Sequence, residues 1–174
     1  METQKNKIAV HKLLILYILE CAEYRVSDMR LILACDELAL MDYFDLNSAL
    51  HDLVENHLAE QSNSVNGTFY TISDIGKTTL DFFRKELLYS LRTKIEEYCQ
   101  NHRDDIRLDS QIYTDYMRIS DEQYRVNLRL LENDITVFEV SFFAASKEEA
   151  DRYCKKWRKN ALGVYAKTFE ALLD

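Results

Sequence analysis

Leu53-Val54-Glu55-Asn56-His57-Leu58-Ala59-Glu60 and, after a polar stretch, Phe69-Tyr70-Thr71-Ile72-Ser73-Asp74-Ile75-Gly76 decide how the first half of the chain folds. The first run closes a helix whose apolar positions, Leu46, Leu50, Leu53, Val54 and Leu58, keep steps of three and four. It then passes into a short strand near residues 59–62. The polar loop 63–67 ends in Asn66-Gly67, a strong hairpin signal because both turn residues tolerate positive φ. Residues 68–72 alternate as a second strand, with Tyr70 and Ile72 against Phe69 and Thr71. Ser73 is then placed as the N-cap of a further helix.

Two more helices precede this stretch. Residues 6–23 are apolar on nearly every side (Ile8, Val10, Leu13, Leu14, Ile15, Leu16, Ile18 and Leu19), as in a helix buried by several neighbours. Ser27 is an N-cap for a second helix carrying Leu31, Ile32 and Leu38, and Asp45 is expected to cap the third. Three helices followed by a hairpin make a winged helix-turn-helix. The third helix then presents Asn47, Ser48, His51, Asp52 and Glu55 on its polar face. Asn47, Ser48 and His51 can reach base edges in a major groove. With Asn66 and Gly67 of the wing and Lys77 beyond it, they form the expected DNA-binding set.

Charge argues against that role. Between Arg30 and Lys77 there is no Lys or Arg, while eight carboxylates occur: Asp36, Glu37, Asp42, Asp45, Asp52, Glu55, Glu60 and Asp74. Specific DNA binders direct half or more of their hydrogen bonds to the phosphate backbone and sugar, so cations must come from outside the gap. Lys5, Lys7, Lys12, Arg25, Arg30 and Lys77 are the nearest. Net charge is −8, divided as −6 over residues 1–89 and −2 over 90–174. An acidic surface disfavours non-specific contact with nucleic acid or anionic lipid.

The helix begun at Ser73 is expected to run to about His102. Leu80, Phe83, Leu87, Leu91, Ile95 and Tyr98 form one apolar seam about 30 Å long. It can pack within its own chain or serve as a homodimer interface; a break near Tyr89-Ser90 is compatible with the pattern. Beyond it the period becomes two. Ile106, Leu108, Ile112 and Tyr116 read as one strand face, followed by Tyr124, Val126, Leu128 and Leu130, then Phe138, Val140 and Phe142. Turns are expected at residues 120–122 and 132–134. Ser146-Lys147-Glu148-Glu149 is a capping box. It opens a helix with Ala150, Tyr153, Cys154 and Trp157 inward, continued by Leu162, Tyr165, Phe169 and Leu172. The fold class is therefore α+β. A winged-helix domain covers 1–89, a connecting helix 90–104 and a β-β-β-α domain 105–174.

Composition narrows the remaining functions. At 174 residues with 47% hydrophobic and 30% charged content, the chain has the make-up of an ordinary globular protein. It contains no proline and three glycines, too few for a phosphate-cradling loop. The longest apolar run, Leu13 to Leu19, is well short of the roughly 20 residues of a membrane span. Nor does the N-terminus read as a secretory signal. Cys21, Cys35, Cys99 and Cys154 form no CxxC pair and read as reduced thiols in a cytoplasmic protein. Cys99-x-x-His102 has metal-like spacing without a second pair. No catalytic, cofactor-binding or metal-binding residues are assigned, and no enzyme activity is expected. Arg152, Lys155, Lys156, Arg158 and Lys159 place five cations in eight residues. They read either as charges favoured at a helix C-terminus or as an anion contact.

The two runs quoted first resemble the helix, wing and Tyr-x-Ile-Thr/Ser-x-x-Gly signature of bacterial winged-helix regulators. More closely, the chain resembles a bacterial family known only as domain of unknown function 4364. There, residues 13–19, the Tyr43-Phe44-Asp45-Leu46 helix entry and the Cys154-Lys155-Lys156-Trp157-Arg158-Lys159-Asn160 helix also find counterparts. The resemblance spans almost the whole chain. It implies a winged-helix fold and a regulatory role, with no established activity or catalytic residue. The expected function is that of a homodimeric transcriptional-regulator-like protein that contacts DNA through the third helix and wing. The alternative is a winged helix that contacts a protein partner and no DNA.

Overall fold

The computed structural model describes residues 2–64, 67–132 and 135–173. Helices and two three-stranded antiparallel sheets make it a mixed α+β protein. It divides into two compact units, whose main bodies are residues 2–63 with 67–110 and residues 111–173, Ser64 being grouped with the second.

The first unit contains α1 (Glu2–Ala22), β1 (Val26–Ser27), α2 (Asp28–Glu37), α3 (Tyr43–Glu55), β2 (Ala59–Ser64) and β3 (Gly67–Ile72). These are followed by α4 (Asp74–Phe83), a 3₁₀ turn at Arg84–Glu86, α5 (Tyr89–Asn101) and α6 (Arg103–Gln111). Because residues 13–19 of α1 are apolar on every side, that stretch becomes the axis of the core. Its Ile15, Leu16 and Ile18 are fully buried, in one cluster with Leu46 and Leu53 of α3, Leu80 of α4, Ile95 of α5 and Ile106 of α6. The sheet order is β1-β3-β2. β1 was not expected: it is two residues long, pairing Val26 with Tyr70 and Ser27 with Phe69, and two residues carry no periodicity. Phe69 is the buried residue of β3, while Tyr70 and Ile72 pack at the core margin.

Local chemistry sets the helix starts. The Ser27 hydroxyl accepts from Arg30 N at 3.1 Å, as expected of an N-cap. The cap of α3 is Asp42, which accepts from Asp45 N at 2.8 Å, so the helix begins earlier than the expected Asp45 cap. The Ser73 hydroxyl both accepts from Gly76 N at 2.9 Å and donates to the His57 carbonyl at 2.7 Å. It thereby fixes the start of α4 against the end of α3. A Cβ on Gly76 would lie 2.0 Å from the Leu58 carbonyl oxygen, so only glycine permits this approach.

Two expectations are corrected here. The helix from Ser73 is not continuous, since Leu87 and Leu88 are extended between the 3₁₀ turn and α5. The break lets the seam turn back on its own unit. Leu80, Leu87, Ile95 and Tyr98 are buried there, Leu91 is partly buried, and Phe83 stays half-exposed. Within the expected connecting helix, α5 packs on α1, with the Tyr17 hydroxyl donating to the Glu96 carboxylate. The second correction concerns residues 106–111, which are helical rather than the start of a strand. Asp104 and Asp105 occupy the first turn of α6, and Ile106 and Ser110, four apart, face inward. Arg30 of α2 donates to Asp109 at 2.9 and 3.3 Å, and Arg25 donates to the Ser110 carbonyl at 2.7 Å. The compact units divide at 110/111.

The second unit is a meander of β4 (Ile112–Ser120), β5 (Gln123–Glu132) and β6 (Ile135–Ala144), in that order, followed by α7 (Lys147–Leu173). Strict alternation puts Val126, Leu128 and Leu130 of β5 on the buried face, with Ile112 and Thr114 of β4. Ala150, Cys154, Trp157 and Ala161 of α7 are buried in the same unit. Trp157 stacks on Phe138 at 6.1 Å and donates to the Arg129 carbonyl at 3.3 Å. At the start of α7 the Ser146 hydroxyl accepts from Glu149 N, while the Glu149 carboxylate accepts from Ala145 N at 2.8 Å. The helix is interrupted at Asn160 (φ −146°, ψ 27°). The expected turn at 120–122 joins β4 to β5; of the turn at 132–134, residues 133 and 134 lie outside the described residues.

Candidate binding face on the third helix

Helical spacing brings Asn47, Ser48 and His51 to the exposed side of α3, opposite the buried Leu46, Leu50 and Leu53. Asn47 is turned back on its own helix, its amide donating to the Tyr43 carbonyl at 2.8 Å. His51 is 78% exposed, with Nδ1 3.8 Å from the Glu55 carboxylate. The helix opens on an exposed aromatic pair that the charge-based reading passes over. Phe44 is 82% exposed and meets Tyr43 edge-to-face at 5.9 Å. In the sequence both count only as a helix entry.

Of the wing, Asn66 lies outside the described residues. Gly67 has φ +124°, which an L side chain rarely adopts, and the Asp28 carboxylate stands beside it. Along the hairpin strands, Gln61 and Thr68 both donate to the Asn63 side-chain oxygen at 3.2 Å. Lys77 is exposed on α4, 3.5 Å from Asp74.

Four of the cations expected to offset the acidic gap are already engaged. Lys7 lies 2.8 Å from Asp45, Lys12 3.5 Å from Asp52, and Arg30 2.9 Å from Asp109. Arg25 covers the Phe69 ring at 5.3 Å while donating to Ser110. The hydrogen bond from Lys7 holds the Asp45 carboxyl below the usual carboxylate range. Two lysines of α1 are therefore drawn onto α3 carboxylates instead of towards solvent anions.

Other groupings are chemically quieter. Among the described residues, His51, Asp52 and Glu55 bring ligand-type atoms within 4.8 Å of one another. Lys12 beside Asp52 opposes a cation at that place. An open cleft of about 400 Å³ is lined by Lys7, His11, Cys35, Asp42 and Asp45, with the buried His11 3.6 Å from Asp45. Its one thiol is held protonated, since burial pushes Cys35 up to about 12. Burial likewise pushes Cys21 up to about 11 and Cys99 to about 12, and no thiol among the four is in a disulfide. In α7, Arg152, Lys155, Lys156 and Lys159 share one face with Glu148 and Asp151. The interruption at Asn160 puts Lys156, Arg158 and Lys159 in the last turn of a helical segment, where the dipole favours cations.

No helix among the described residues is long and apolar enough to cross a membrane. The chain matches none of the curated proteins or solved structures with which it was compared. A family match covers residues 11–172, nearly the whole chain and both compact units, and the protein thus belongs to the family described as Domain of unknown function (DUF4364).

Proposed function

We propose that the chain is a winged-helix protein of the transcription-regulator kind, acting as a homodimer and meeting duplex DNA through α3 and the β2–β3 wing. One observation carries this reading. The element order α1-β1-α2-α3-β2-β3, with sheet order β1-β3-β2, runs from a helix with a polar exposed face into a two-stranded hairpin, and this order supports the reading. Asn47, Ser48 and His51 would supply base-edge chemistry, with Gly67 of the hairpin and Lys77 of α4 completing the set. With Lys7 and Lys12 held by carboxylates, affinity for random duplex is low and selectivity rests on base contacts.

A second reading is favoured by the same ion pairs together with the exposed Tyr43–Phe44 pair. An acidic helix that opens on two exposed aromatic rings suits a protein partner with a basic rim and an apolar pocket. Asp52→Lys with Glu55→Lys separates the two. If α3 faces DNA, affinity for random duplex at low salt rises on the order of tenfold, and its salt dependence steepens. Unchanged DNA affinity removes α3 as the DNA-facing element and leaves the protein-docking reading.

A further inference from the structure

Among the described residues, the last strand in the order β4-β5-β6 has a neighbour on one side only. Packing of α7 falls mainly on β4 and β5, leaving β6 at the margin. Edge strands are commonly blunted by short length, lysines, proline or bulges. β6 has ten residues (Ile135–Ala144), with no lysine, no proline and one charged side chain, Glu139. Its register with β5 shifts at Val137, after which the ladder runs regularly from Phe138 to Ala144. Ile135 and Phe143 are 68% and 55% exposed, and Phe169 lies half-exposed beside Phe138.

We propose that β6 pairs antiparallel with β6 of a second copy, about a twofold axis through Val140, joining two three-stranded sheets into one of six. The register follows from side-chain parity. Residues directly opposite one another share a face of the sheet, so a twofold axis must pass through a residue rather than between two. Centring on Glu139 would set two carboxylates against each other. A centre at Ser141 would set Glu139 against Phe143. Centring on Val140 pairs Phe138 with the partner's Phe142 on the side that faces α7. On the other side it pairs Glu139 with the partner's Ser141, and each Glu139 keeps Arg129 of its own sheet as cross-strand neighbour. Of these three centres, Val140 is the one that sets Glu139 against a polar partner, neither a second carboxylate nor an aromatic ring, and at that register the edge is self-complementary.

The opposite edge suits this role less well. β4 carries Asp115 and Arg118 and loses its register before Ser120. A β4–β6 contact between copies would also be head-to-tail and open-ended, whereas β6–β6 closes on itself. The inference is independent of what α3 binds.

Sedimentation equilibrium of the full chain at micromolar concentration tests it, with substitutions at the exposed Ser141. The wild type is expected to be a dimer. Ser141→Glu places two carboxylate pairs across the axis and should weaken the dimer on the order of tenfold. Ser141→Lys sets an ammonium against each Glu139 and should preserve or tighten it, with unchanged circular dichroism in both variants. A monomeric wild type overturns the proposal. So does an equal response to Glu and Lys, whether both weaken the dimer or neither does.

Discussion

Lys7 on α1 donates a 2.8 Å hydrogen bond to Asp45 on α3, and Lys12, one and a half turns further along α1, lies 3.5 Å from Asp52. The long axial helix is thus fastened by charge to the helix whose face is the candidate binding surface. These are the cations that a count along the chain offers to a phosphate backbone. In the fold they neutralise carboxylates of their own unit instead of adding positive charge to the face.

The Lys7–Asp45 pair carries a pH signature. Its hydrogen bond lowers the Asp45 carboxyl and raises the Lys7 ammonium from their ordinary values. For a lowered carboxyl, the contribution to stability is present above the unfolded value of about 3.9 and lost as pH falls through the folded one. The raised lysine contributes below about 10.4 and loses its contribution as pH climbs past its folded value. Asp45→Asn should therefore lower the melting temperature at pH 7, and the difference from wild type should vanish at strongly acid pH. A difference that persists unchanged in acid would show that the pair contributes no ionic stability.

The junction of α3, β2 and α4 should be intolerant of small changes. Ser73→Ala removes a cap and leaves the His57 carbonyl without its donor, at a cost of about 1–2 kcal/mol. Gly76→Ala drives a Cβ against the Leu58 carbonyl, a backbone atom that cannot swing aside, and should cost about 3 kcal/mol. Urea unfolding would rank the two. A Gly76→Ala variant as stable as the wild type would mean that α4 does not sit this close to Leu58.

The apolar seam divides into residues that hold the fold and residues that do not. Leu87→Ala should cost about 2–5 kcal/mol because the side chain is buried in the core of the first unit. Phe83→Ser, at a half-exposed position, should change stability by less than about 1 kcal/mol. A folded Leu87→Asp monomer from a dimeric wild type would return this seam to the role of a subunit interface.

The parts of the fold legible in the sequence were those governed by neighbours in the chain. Ser27, Ser73 and Ser146 each cap the helix they precede, because an N-cap needs one hydroxyl and an N–H three residues on. The alternation of Tyr124, Val126, Leu128 and Leu130 became β5 without change, since a half-buried strand writes its period directly. Residues 106–111 misled for the same reason. Ile106 and Leu108 alternate with charges, yet Arg25 and Arg30, some eighty positions away, anchor that stretch as a helix. β1 was invisible because its two residues are a strand only through Tyr70 and Phe69.

By itself the sequence determined the α+β class, the helix caps, the β5 and β6 pattern and the acidity of the stretch between Arg30 and Lys77. Each is set by composition or by spacings within a few residues. Only the tertiary structure decided which charges meet, which seam is buried and which strand is left at an edge. Lys12 finds Asp52, Leu87 turns inward at an extended break, and among the described residues β6 has one strand neighbour. Those outcomes depend on where distant segments come to rest, and distance through space is not written in the local period of a chain.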